Sequence, residues 1–264
     1  MNTDWIKTAA FVVLASALIP VSAGAQDTDA LAKQTQNPVS SLISVPFQGN
    51  WDFGIGDRDA SSTLLNIQPV VPFEISDSAN IILRVITPLT SYPTEGGQRI
   101  NGFGDVLASA FLSPAAPGSV IWGVGPAILI PTATNQSLGS EKFGIGPTAV
   151  VLTQPGNWTV GALANHVWSI SGANDRSDVN QTFIQPFANY NLGNGVAAGV
   201  SMEASGNWEA DEKWTAPLLF SLSKVALLGK RPVNLAVAAG PTVWSPSAGA
   251  NWRFRLVATF LFPR

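Results

Sequence analysis

In the stretch NWRFRLVATFLFPR, Arg253 and Arg255 alternate with Trp252, Phe254 and Leu256. An extended chain therefore carries two guanidinium groups on one side and an aromatic, apolar surface on the other. The same alternation sets Arg84, Asp105, Lys142 and Glu203 opposite apolar neighbours in earlier stretches, with Gln68, Gln185 and Asn189 as neutral donors and acceptors. Charges held on the inside of a closed wall can line a wet path and select solutes by charge and hydrogen bonding. Alternatively they pair with one another and fill the space as an ionic network. The residue types leave both readings open.

Other chemistry is poorly supplied. His166 is the single histidine, and its same-face neighbours two residues away are Ala164 and Trp168, so no serine stands where a lipid hydrolase would need its nucleophile. No catalytic set is expected, and the chain reads as a non-enzyme. With one histidine and no cysteine, no transition-metal site and no cofactor are expected. Glu209, Asp211 and Glu212 read as a solvated acidic loop rather than a calcium site. The loops PTATNQ and ANDRSD match no phosphate or dinucleotide motif. A net charge of -3 without a basic stripe argues against nucleic acid as a partner.

The elements that must carry these side chains follow from the periodicity. Lys7, the apolar run from Thr8 to Val21 and the small residues Ala23-Gly24-Ala25 read as a cleaved signal peptide over residues 1–25. Residues 26–46 are mostly polar up to Pro38 and read either as a periplasmic leader or as a partial plug folded into a barrel mouth. From residue 47 to 264 the chain repeats one pattern. After a weakly marked strand over Ser44 to Gly54, period-two alternation recurs at Thr63–Ile75, Ala79–Leu89, Gly102–Leu112, Ser119–Ile130, Glu141–Thr153 and Trp158–Trp168. It continues at Val179–Tyr190, Val196–Asn207, Lys213–Ser223, Val233–Thr242 and Asn251–Arg264. The total is twelve, an even number that returns both ends of the barrel to one side of a membrane. Connections after Ile75, Leu112, Thr153 and Tyr190 are short, whereas those after Leu89, Ile130, Trp168 and Asn207 are longer and more polar. Gly123, Gly125 and Ala127 leave one inner face nearly bare, giving room inside or a place for another segment to approach.

Only 12% of the residues are charged, about half the share of an ordinary soluble domain, although the chain is 46% hydrophobic. A β-sandwich would need far more charge on its two outer faces. Backbone groups in hydrocarbon must all be paired, so spanning structures are helices or closed sheets, and no stretch after residue 25 has the apolar length of a spanning helix. Trp51, Trp122, Trp158, Trp168, Tyr190, Trp214, Trp244, Trp252, Phe260 and Phe262 gather toward strand ends, as an interfacial girdle does. The expected fold is a closed antiparallel transmembrane β-barrel of about twelve strands in the outer membrane of a Gram-negative bacterium.

The chain resembles the bacterial outer-membrane family of the MetA pathway of phenol degradation, whose members often carry the mistaken label neuromedin U. The matching stretches are LAKQTQNPVSSLISVPFQGN, NGFGDVLASAFLSP, WGVGPAILIPTAT, LGSEKFGIGPTAVVL, NQTFIQPFANYNL and FRLVATFLFPR, which run over nearly all of residues 31–264. The resemblance implies a channel or transporter for hydrophobic or aromatic compounds and brings no catalytic residues. It also implies outer-membrane lipid, lipopolysaccharide, the outer-membrane assembly machinery and a small organic solute as partners. Where many outer-membrane proteins place a final aromatic for the assembly machinery, this sequence reads Phe262-Pro263-Arg264. The functional expectation is a passive channel for small organic solutes; the alternative is a sealed barrel that binds through its external loops.

Overall fold

The computed structural model describes residues 25–94, 96–229 and 231–263, so the expected signal peptide falls outside the described residues apart from Ala25. One helix, α1 (Ala25–Thr35), precedes twelve transmembrane strands. These are β1 (Ile43–Ile55), β2 (Ala60–Ile67 and Val70–Ser76), β3 (Ala79–Pro93), β4 (Arg99–Phe103 and Val106–Pro114), β5 (Val120–Ile130) and β6 (Lys142–Thr153). The second half comprises β7 (Trp158–Gly172), β8 (Asn180–Gly193), β9 (Val196–Met202 and Ala204–Asn207), β10 (Trp214–Leu228), β11 (Arg231–Trp244) and β12 (Trp252–Phe262). Each strand pairs antiparallel with its sequence neighbours, and β1 closes on β12 in a register running from Ile43 opposite Phe262 to Phe53 opposite Trp252. Closure removes the sheet edge, which is what a hydrocarbon environment demands.

Three strands are interrupted, and each break falls at an inward polar residue: Gln68-Pro69 in β2, Gly104-Asp105 in β4 and Glu203 in β9. Pro69 cannot donate to the ladder, and the chain repairs the gap with Gln68 N–H donating to Pro46 O at 2.9 Å and Val85 N–H donating to Pro69 O at 3.1 Å. Such irregularities bend a strand and re-aim its side chains. In the wall of β4 to β7, glycine has a steric job: a Cβ at Gly125 would strike the Ala110 carbonyl oxygen, and one at Gly146 the His166 carbonyl oxygen.

Connections at the end nearer α1 are short: 77–78, 115–119, 154–157 and 194–195. Asn194 and Gly195, at φ 55 and 71, make the left-handed pair that a two-residue hairpin needs. The opposite connections include the longer loops 131–141, 173–179, 208–213 and 245–251. One end is thus tight and the other looped, the asymmetry usual in outer-membrane barrels. The segment Thr90 to Asn101, expected as a loop, is instead mostly hairpin, with Ser91 opposite Asn101 and Tyr92 opposite Ile100. Arg99 ties it down by donating from Nε to Ser91 Oγ at 2.8 Å and from Nη1 to Ser61 O at 2.9 Å.

The outward faces are apolar and exposed, as at Leu83, Val120, Val124, Val151, Phe220 and Leu222. Aromatic pairs mark both ends, with Trp158 against Tyr190 (ring centroids 4.9 Å apart) at the tight end and Trp208 against Trp214 (5.9 Å) at the looped end. Transfer of such side chains from water to lipid is worth about 25 cal/mol per Å², which makes the exterior unstable anywhere but in a bilayer.

Residues 25–42 lie against the inside of the tight end. Ala32 and Leu42 are buried against Val225 and Leu261, while Val39 joins Ile82, Phe111, Ile121, Val150, Leu152 and Leu163 in the largest buried apolar cluster. The bare inner face of β5 is where this segment approaches: a Cβ on Gly123 would come within 2.9 Å of Val39 Cγ1. Polar ties fasten the segment to the turns, including Gln36 Nε2 donating to Asn191 Oδ1 at 2.9 Å and Gln154 Nε2 donating to Lys33 O at 3.0 Å.

Candidate functional site

Two interior spaces follow one another along the barrel. An outer vestibule of about 550 Å³ opens toward the long loops, and an inner chamber of about 300 Å³ is floored by residues 34–38, Ser40 and Leu42. Four side chains line both spaces and so form the neck between them: Gln48, Gln68, Arg84 and Gln185. A third recess of about 220 Å³ lies beside the neck, lined among others by Asn50, Glu203, Arg253 and Arg255.

The ionic part of the wall depends on the closing strand pair. Asn50 stands opposite Arg255, and Asp52 opposite Arg253, across β1 and β12. Arg253 donates from Nε to Asp52 Oδ1 at 2.6 Å and from Nη2 to Asp52 Oδ2 at 2.9 Å, a bidentate fork. Arg255 donates from Nη1 and Nη2 to the two oxygens of Glu203 at 2.7 and 2.6 Å, and from Nε to Asn50 Oδ1 at 2.7 Å. Glu203 also accepts from Arg253 Nη1 at 3.3 Å and from Gln185 Nε2 at 3.2 Å. It reaches β12 from β9, past β10 and β11. Space for that reach comes from Ala238 and Gly240, which stand opposite Arg255 and Arg253 on β11. With side chains only 8% and 12% exposed, Arg255 and Glu203 are bound within a network that has almost no free valence.

Arg84 is arranged differently. Its Nη2 donates to Gln68 Oε1 at 2.6 Å, and no ion pair joins it to a carboxylate of the described residues. Asn189 lines the inner chamber. Asp105 and Lys142 stand apart from the neck, at the looped end. Asp105 accepts from Ala133 N–H at 3.1 Å and from Ser140 N–H and Oγ–H at 2.6 and 2.7 Å, clasping the loop after β5. Lys142 pairs with Asp178 at 3.2 Å, which holds the Asp178 carboxyl below the usual aspartate range with help from Ser169. Across the vestibule mouth, Glu212 accepts from Ser247 Oγ at 2.6 Å and from Ser247 N–H at 2.9 Å, and those bonds hold its carboxyl below the usual glutamate range.

The neck and network residues Gln48, Asn50 and Asp52 were missed as candidates because β1 is weakly marked. Their signal is present: they alternate with Phe47, Trp51 and Phe53. His166 Nδ1 lies 2.7 Å from Thr182 Oγ1, and the Trp168 ring lies over the imidazole at 4.0 Å between centroids. Its Nε2 is buried without a hydrogen-bond partner among the described residues. No group of acidic or histidine side chains suited to a metal occurs among the described residues either.

No family model matches the chain, and no curated protein matches it in sequence. Its fold is similar to that of an outer-membrane channel from Pseudomonas putida F1, with a TM-score of 0.63 and 12% identity over 84% of this chain and 94% of the other. Outer membrane phospholipase A from Escherichia coli aligns at a TM-score of 0.49 and 9% identity, over 89% of this chain and 98% of the other. At such identities the likeness is one of fold. The closed sheet, its apolar exterior and the likeness to the Pseudomonas channel give the chain the fold of a Gram-negative outer-membrane β-barrel.

Proposed function

We propose that this barrel is a passive channel for small organic solutes, with aromatic and other largely apolar molecules as its permeants. The observation that carries the reading is the succession of vestibule, neck and chamber along one axis, walled by side chains that can wet or hydrogen-bond a solute. Nothing in the sequence encodes an energy source, so flux follows the gradient. The stretches quoted above support placement in the MetA phenol-degradation family, and the barrel's partners are then outer-membrane lipid, lipopolysaccharide and the assembly machinery. A hydrolase role is not part of the proposal: the hydroxyl that meets His166, Thr182 Oγ1, also accepts from Trp208 Nε1 at 2.8 Å, which supports reading it as a structural hydrogen bond. Lipid substrate incubated with the folded protein in detergent should release no fatty acid.

A second reading, a sealed barrel that binds through its outer loops, draws on the packing of residues 25–42 into the tight end. Planar-bilayer recording separates the two. Discrete conductance steps from verified, folded barrels support the channel, whereas uniform silence together with ligand binding to the loops supports the sealed form. Deleting residues 26–40 sharpens the test, because a channel merely narrowed by this segment conducts before the deletion and more after it, whereas a lumen sealed by it conducts only once the segment is gone.

A further inference from the structure

The vestibule presents two unlike walls to whatever enters it. Ile86, Leu107, Phe111, Leu129, Leu163 and Phe183 form an apolar side, and the neck with Arg84 lies at its inner end. Three guanidinium groups in this interior face two carboxylates, and both carboxylates are taken: Asp52 by Arg253, and Glu203 by Arg255 and Arg253. The positive charge left over resides on Arg84. One of its nitrogens is engaged by Gln68, and the side chain lines both the vestibule and the chamber.

From this juxtaposition we infer that the neck is a binding site for apolar monocarboxylates, above all aromatic ones, with the carboxylate on Arg84 and the hydrocarbon body against the apolar wall. A guanidinium offers a carboxylate a planar pair of donors, and here it does so in a space of low polarity, where charge-assisted bonds are strongest. Gln185 and Gln48 stand beside it as amide donors for the second carboxylate oxygen. A neutral aromatic of the same size gains the apolar wall alone, and an aromatic amine meets an uncompensated positive charge. The inference rests on the channel reading for its consequence, which is selectivity among solutes, but the site itself needs only the cavity.

The test uses benzoate, benzyl alcohol and benzylamine, which share a ring and differ in charge. Calorimetric titration of the folded full-length barrel in detergent should show benzoate binding at least about tenfold more tightly than benzyl alcohol, the advantage of a hydrogen bond to a charged group. Arg84→Gln should abolish that ratio, and Arg84→Lys should restore part of it. Ser109→Asp provides an independent variant, since Ser109 lies directly opposite Arg84 in the register of β3 and β4 and a carboxylate there would occupy the guanidinium. Flux of the three solutes into proteoliposomes is measured in parallel. Benzoate that binds through Arg84 but does not cross leaves the site standing and removes the channel. Solutes that cross without regard to charge, or a benzoate preference that survives both Arg84→Gln and Ser109→Asp, overturn the inference and leave the channel. Absence of both binding and flux ends both.

Discussion

The two sides of the lumen solve the same packing problem by opposite means. Toward β1, β9 and β12 the interior holds charges that neutralise one another through forked hydrogen bonds among Asp52, Glu203, Arg253 and Arg255. Toward β4 to β7 it holds Phe111, Val150, Leu152 and Leu163, closed over by Val39 from the segment ahead of the barrel. Ionic side chains have directional demands, and they leave a recess of about 220 Å³ beside them. Apolar side chains have none, and here they close up under Val39 while Phe111 and Leu163 still face the vestibule. On the channel reading proposed above, the solute path runs along the boundary of the two, where the neck is found.

The comparison can be broken most severely at Glu203. Replacing it with Gln strands the Arg255 guanidinium in a nearly dry site while Arg253 keeps Asp52, and removal of one partner from such a network costs about 3–5 kcal/mol. Urea unfolding of the refolded barrel should register a loss of that size. A loss below about 1 kcal/mol, the range of exposed ion pairs, would mean that the ionic side is solvated rather than interlocked. On the apolar side, Leu163→Ala should cost about 2–4 kcal/mol through the cavity it leaves, and it should also enlarge the vestibule. Equal unfolding with no gain in conductance would place Leu163 outside the solute path.

The smallest effect concerns acid. Asp178 is fully exposed, and its carboxyl is held below the ordinary range by the hydrogen bond from Lys142, then by Ser169. A depressed folded value means that the bond's contribution is complete above an ordinary aspartate value of about 3.9, and disappears as pH falls through the lowered one. Amide exchange at Val179 relative to its intrinsic rate at each pH, with the N–H bound by Ser169 Oγ at 3.1 Å, should accelerate over that acid interval and stay flat above it. Acceleration beginning near neutrality would assign the loop's tether to another group.

Strand number and the alternation of faces were legible because each strand carries its own period-two record. Arg84, Glu203, Arg253 and Arg255 were readable as inward for the same reason. Their partners were not, because pairing is set by closure: Arg253 meets Asp52 from 201 residues away, and Arg255 meets Asn50 from 205. Parity alone also could not separate Asp105 and Lys142, which clasp outer loops, from residues at the neck, since height along a tilted strand is invisible to alternation. The long hairpin of β3 and β4 was hidden by Gly96 and Gly97, which look like the centre of a wide loop but form only its tip.

The seam between first and last strands gives this barrel a means of judging its own completion. Slipping β12 by one residue along β1 would turn Arg253 and Arg255 into lipid, at about 2–4 kcal/mol for each one near the midplane, and leave Glu203 alone inside. A misjoined cylinder is thus penalised on both surfaces at once. The final zippering step is the one at which an error in length anywhere along the wall becomes energetically audible.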